Sequence, residues 1–375
     1  MKIPFHKCIS VTTDGTPATV GRDQGLITRL KKDMPSMLAF HCIIHQTVLC
    51  GKLNDHFQQL MCKAMKMINF VRSQSALRHR ILRKFLKEID ATFENLLTYN
   101  NIRWLCKGNA LSRLWSIRQE LTSFLNTCTS LNARQFQEMS SSEDMSDLAF
   151  LVDICGHLND LNLKLQGKNK TIINTLPAVQ AFSHKLESFL VDVQGDMLHF
   201  PTLKAFLDDD EEMASCTAEY THFIEKLQQE FSNRFSQFES LKHIIQLIKA
   251  PQKAKPNGEW VTQLPLKSVN VSSLQLELCN LKGTDIDEIE EGFYLKASTK
   301  AEYPQLAQLG RWLYTVFAAT YICESAFSYM NNIKSKLRST LTQDHLCHLL
   351  RIACCSREPD YQEIMSSHKQ FHVSH

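Results

Sequence analysis

The sequence predicts a mainly α-helical chain with a small α/β part near its N-terminus. Two short runs read as strands, Cys8 to Thr13 and Met37 to Phe40, with helical sequence after each. From Ser75 onward apolar residues recur at helical spacing almost without interruption. The 375 residues are 43% hydrophobic and 22% charged, enough for a large core divided into two or three parts.

Cys8 to Thr13 alternates and is β-branched, as a strand requires. Asp14-Gly15-Thr16-Pro17 is a turn that opens a helix, with Thr16 as N-cap and Pro17 at the first helical position. That helix is predicted to run to about Lys32, with Leu26, Ile27 and Leu30 on its inner face, and Pro35 ends it. After Met37 to Phe40, His41-Cys42-Ile43-Ile44-His45 leads into a long helix through Val71. Strand, helix, strand, helix is a β-α-β unit, so the two strands should be parallel.

Further helices are predicted over Ala110 to Leu125, Leu148 to Leu165, Ile172 to Leu190 and Glu219 to Phe238. The last carries Phe223, Leu227, Phe231 and Phe235 on one stripe, which reads as helix-packing core. Ala250 to Pro265 holds three prolines and a glycine and reads as a linker. Val269 to Leu281 fits a strand or a helix. Pro304 to Met330 reads as one helix and Thr342 to Ala353 as the last, with a polar tail after Ser356.

The net charge is +3, so bulk charge alone does not mark a nucleic-acid binder. Charge is patterned, however. Basic runs lie at Arg78 to Lys87, Lys164 to Lys170 and Lys334 to Arg338, and acidic runs at Asp208 to Glu212 and Asp285 to Glu291. Thirteen scattered cysteines, with no secretory signal at the start, imply a reducing compartment, nucleus or cytosol. No apolar run is long enough for a transmembrane span.

Few residues carry chemistry on their own. Glu324 is a single carboxylate in the apolar stretch Tyr321-Ile322-Cys323-Glu324-Ser325-Ala326-Phe327, and an acid is costly to bury unless a cation meets it. Asp14 closes an apolar run where a metal and a phosphate could approach, although Asp-Gly is also an ordinary turn. Cys42 and His45 form a C-x2-H pair, half of a zinc site with no second half nearby. Arg103-Trp104 sets a cation beside an aromatic ring, a pair able to grip a phosphate and stack a base, or simply to pack between helices. No phosphate-binding glycine loop, nucleophile elbow or H-E-x-x-H occurs.

These pieces, in order, resemble the hAT superfamily of DNA transposases and its host-domesticated vertebrate relatives. The matching stretches are Thr12 to Ala18, Cys42 to His45, Arg103-Trp104, Leu158 to Gly167, Glu302-Tyr303-Pro304, and Tyr321 to Glu324 on through Leu346. Leu158-Asn159-Asp160-Leu161-Asn162-Leu163-Lys164-Leu165-Gln166-Gly167 is similar to the zinc-finger BED and general transcription factor II-I repeat group. The resemblance implies a ribonuclease H-like core split by a large all-helical insertion. It implies core at residues 1–74, insertion at 75–300, C-terminal core and dimerisation region at 301–357, and a tail at 358–375. It makes Asp14 and Glu324 the second and third acids of an Asp-Asp-Glu triad that holds two divalent ions. It gives nucleic-acid contacts to Arg103, Trp104, Cys42, His45, Lys334, Lys336 and Arg338. It gives dimerisation to Leu337, Leu341, Leu346, Leu349 and Leu350.

Departures from the family pattern set the expected activity. The first acid lies well upstream of the Thr-Asp-Gly motif in the family, and neither it nor a BED finger is in this sequence. Phe317-Ala318-Ala319-Thr320 replaces small turn-like residues with helix formers. Two ions ~4 Å apart need bridging carboxylates to offset their repulsion, and two acids hold magnesium weakly. The expectation is a truncated, non-catalytic nuclear protein without a cofactor, acting by dimerisation with itself or a related hAT chain and by DNA contact. Mg2+ or Mn2+ enters only if an acid such as Asp23 or Asp33 substitutes.

Overall fold

The computed structural model describes residues 8–72, 80, 104–126, 142–168, 170–208, 217–282, 291–335, 338, 340–355, 360, 362–363 and 366. The chain divides into two compact units, Met1–Ala319 and Thr320–His375. No helix among the described residues is long and apolar enough to cross a membrane.

In the first unit, β1 (Ser10–Thr13) pairs in parallel with β2 (Leu38–His41), Ser10 against Leu38 and Thr13 against His41. The β-α-β reading therefore holds. Its crossover helix is broken, however, into α1 (Pro17–Val20) and α2 (Leu26–Asp33). Gly21 and Gly25 make the break: the Gly25 amide bonds the Gly21 carbonyl at 3.0 Å. A Cβ on Gly25 would lie 2.4 Å from that oxygen. The predicted inner face of this helix is not buried, since Leu26 is exposed and α2 buries no residue.

The long helix predicted after β2 is also two, α3 (Ile43–Cys50) and α4 (Asp55–Arg72). Gly51 ends the first, and the Asn54 side chain restarts the second by accepting the Phe57 amide at 2.8 Å. The helical region continues with α5 (Trp104–Ser116), α6 (Arg118–Asn126), α7 (Ser142–Leu165), α8 (Ile172–Asp192) and α9 (Pro201–Asp208). It runs on through α10 (Thr217–Phe235) and α11 (Glu239–Lys249) to α12 (Val271–Leu281). Asn270 caps α12 by accepting the Ser273 amide, which settles the strand-or-helix ambiguity there.

The core is aromatic. Phe150 stacks on Tyr220 at 4.5 Å between ring centroids, with Phe57, Phe200 and Phe223 around them. Phe223, Leu227, Phe231 and Phe235 are all buried, as their stripe predicts. Residues 250–265 are not an open linker. Pro251 and Trp260 are buried, and the Trp260 indole donates to the Lys255 carbonyl at 2.9 Å. Gln275 of α12 ties down Pro256 and Asn257.

The unit closes with α13 (Glu291–Leu295), α14 (Ala297–Glu302) and α15 (Pro304–Tyr314). Gly310 is required here: a Cβ would lie 2.3 Å from the ring of Tyr294, which is fully buried and donates to the Ile248 carbonyl at 2.5 Å.

The single helix predicted over Pro304 to Met330 does not form. After α15 the chain is non-helical until α16 (Tyr321–Ile333) in the second unit. Val316 and Ala318, both fully buried, offer their carbonyls to the Ile172 and Ile43 amides at 2.9 and 2.7 Å. Those are the first residues of α8 and α3, whose amides have no acceptor within their own helices. The Thr12 hydroxyl donates to the Phe317 carbonyl, so the same segment is tied to β1. The second unit holds α16 and α17 (Gln343–Cys354), packed together. Thr342 caps α17, its hydroxyl accepting the His345 amide at 3.4 Å.

Candidate functional site

The C-terminal edge of the two strands gathers three residues that the sequence singles out, Asp14, Cys42 and His45. Asp14 follows β1 and is exposed. Its Oδ1 accepts the Thr16 amide at 3.2 Å, an Asx turn. That bond is the main reason its carboxyl sits below the usual range, with burial opposing. Gly15 has φ of +76°, and a Cβ there would lie 2.4 Å from the His41 ring. Glycine thus serves the turn twice, by its backbone conformation and by letting the imidazole lie against it.

His41, the last residue of β2, is the member the sequence reading passed over. Its ring lies 5.4 Å from that of His45, on the first turn of α3. Its Nε2 is buried without a hydrogen-bond partner among the described residues. Burial chiefly pushes its pKa down, with His45 and Arg234 in the same direction and Asp14 against it. Its place directly before the C-x2-H pair, at a strand end, was the available signal. Cys42 is fully buried at the N-cap position of α3, while His45 is exposed.

Arg103 falls outside the described residues, and so does the side chain of Trp104, which opens α5. Glu324 is in the second unit, on the first turn of α16, and is exposed, with its Oε1 accepting the Thr320 hydroxyl at 3.4 Å. The expected buried acid is therefore a solvated one, because α16 buries none of its residues. Lys334 and Arg338 are exposed, and Lys336 and Leu337 lie outside the described residues. Leu346 is buried, and Leu341, Leu349 and Leu350 are half-buried.

A pair of divalent ions does not fit what is described. Asp14 is engaged by its own turn, and no three His, Cys, Asp or Glu side chains among the described residues are grouped to hold a metal.

Residues 41–194 match the family described as the FAM200/GTF2IRD2 helical domain, from the end of β2 to just past α8. The resemblance to a transposase-derived group holds. Over 367 residues it is 30% identical to General transcription factor II-I repeat domain-containing protein 2 of Bos taurus, covering 94% of this chain and 36% of that protein. Over 348 residues it is 27% identical to the Mus musculus protein of the same name, covering 89% and 35%. The chain thus spans about a third of the length of these relatives.

Proposed function

We propose that this chain is a non-catalytic, transposase-derived nuclear protein that acts by self-association through its second unit and by nucleic-acid contact at the strand edge. In this reading the two parallel strands are part of a ribonuclease H-like core, and the helices from residue 75 to about 300 are its insertion. The relatives' name, a general transcription factor repeat protein, supports the nuclear location. The observation that carries self-association is α16. Ile322, Phe327 and Tyr329 are 50%, 60% and 37% exposed. Phe327 lies about 140° round the helix from Ile322 at 3.6 residues per turn, so no single neighbour such as α17 can cover both. Apolar side chains on several faces mark a helix that is buried in its working state.

Size-exclusion chromatography with light scattering tests this. The whole chain is expected to run as a dimer at micromolar concentration, and Phe327→Glu with Ile322→Glu as a monomer of unchanged helicity. A monomeric unsubstituted chain would sink the reading.

Absence of catalysis is tested by incubating the chain with Mn2+ and hairpin DNA. No nicking is expected. Metal-dependent cutting that Glu324→Ala abolishes would show a working acid at that position.

A further inference from the structure

We propose that Arg234 is the anchoring phosphate contact of a cleft that runs along α10 beside the turn between α3 and α4. This inference rests on the nucleic-acid reading above and names the residues that carry it. On α10, Lys226, Glu230 and Arg234 are spaced by four residues each, one stripe about 12 Å long. With Lys52, from the turn between α3 and α4, they border a cleft of about 440 Å³. Its floor is apolar, with Leu53 and Leu227 buried. Three cations, Lys52, Lys226 and Arg234, face two acids, Asp55 and Glu230.

One of those acids is already engaged. Glu230 Oε2 accepts the Arg234 Nε at 2.7 Å. The bond holds the guanidinium by its inner nitrogen and leaves the two terminal nitrogens without a hydrogen-bond partner among the described residues. The side chain is 33% exposed. A planar pair of donors with a fixed orientation matches two oxygens of one phosphate. Arg234 is also close enough to His41 and to Cys50 for its charge to lower the pKa of each. Its charge thus reaches His41 at the strand edge from the cleft that it lines. Cations spread along a stripe suit a polymer of repeated charges, and a phosphodiester backbone is that polymer.

The test is fluorescence anisotropy of a labelled single-stranded oligonucleotide with the whole chain, across a salt series. Arg234→Ala is expected to weaken binding about tenfold and to lower the slope of log affinity against log salt by about one. Arg234→Lys keeps the charge and the helix, so it should keep the slope and recover part of the affinity. Lys253→Ala, outside this cleft, should match the unsubstituted chain. Helicity by circular dichroism accompanies each variant, and Arg234→Lys decides the matter if Arg234→Ala loses its fold. No binding by the unsubstituted chain at low salt overturns both readings. Binding with Arg234→Ala unchanged in affinity and slope overturns this inference and leaves the nucleic-acid reading standing. Polyglutamate competing as well as the oligonucleotide would make the cleft a peptide site and also overturn it.

Discussion

Phe150→Ala is expected to cost about 3–5 kcal/mol of unfolding free energy, the usual range for truncating a buried phenylalanine. Phe150 is fully buried and is the hub of the aromatic core, 5.6 Å from Phe57 and Phe200 and 5.7 Å from Phe223, besides its stack on Tyr220. These rings come from α4, α7 and α10 and from the segment before α9. A void there has rigid walls on several sides and cannot close by moving one side chain. Urea unfolding followed by circular dichroism measures the loss. A cost under ~1 kcal/mol would mean that these helices do not share one packed core.

Asp147→Ala should cost about 3 kcal/mol and remove a pH dependence. Asp147 is buried, and one carboxylate joins three helices. Its Oδ2 meets His56 Nε2 of α4 at 2.5 Å, and its Oδ1 accepts the Tyr220 hydroxyl of α10 at 2.9 Å. Tyr220 is itself buried, and its hydroxyl, which also lies 3.2 Å from the Ser146 hydroxyl, would lose a charged acceptor. The bond to Asp147 chiefly raises the His56 pKa, and Glu219 and Asp144 add to it. A histidine whose folded pKa is raised stabilises the fold fully below its unfolded value near 6.5, and that contribution is lost as pH rises through the folded value. The unsubstituted chain should therefore gain stability on going from pH 8 to pH 6. Asp147→Ala should lose most of that gain. His56 is 43% exposed, so solvent screens the effect and it will be modest beside the loss from the cut bonds. Equal pH profiles for the two proteins would rule out this pairing in solution.

Both predictions turn on groups whose weight differs in visibility from the sequence. Phe223, Leu227, Phe231 and Phe235 declared a buried face by spacing alone, and the structure buries all four. Asp147 sits in the polar run Glu143-Asp144-Met145-Ser146-Asp147, which reads as solvated. Nothing local says that its partners are 91 and 73 residues away. The strand edge was legible in part. Asp14, Cys42 and His45 announced themselves by motif and His41 by its place before that motif, whereas nothing local marked Arg234.

Alternation and helical spacing are properties of the local chain, and they sufficed for the parallel strand pair, the helical composition and the aromatic stripe. The run from Pro304 to Met330 shows where that stops. Phe317-Ala318-Ala319 favours helix by a few tenths of a kcal/mol per residue. Leaving the buried Ile43 and Ile172 amides without acceptors would cost about 1–3 kcal/mol each. Val316 and Ala318 supply those acceptors only from a non-helical backbone, so the demand of two distant helix ends overrides the local preference. Local periodicity chose the elements; the hydrogen-bond needs of their ends, met across the fold, decided where one of them had to break.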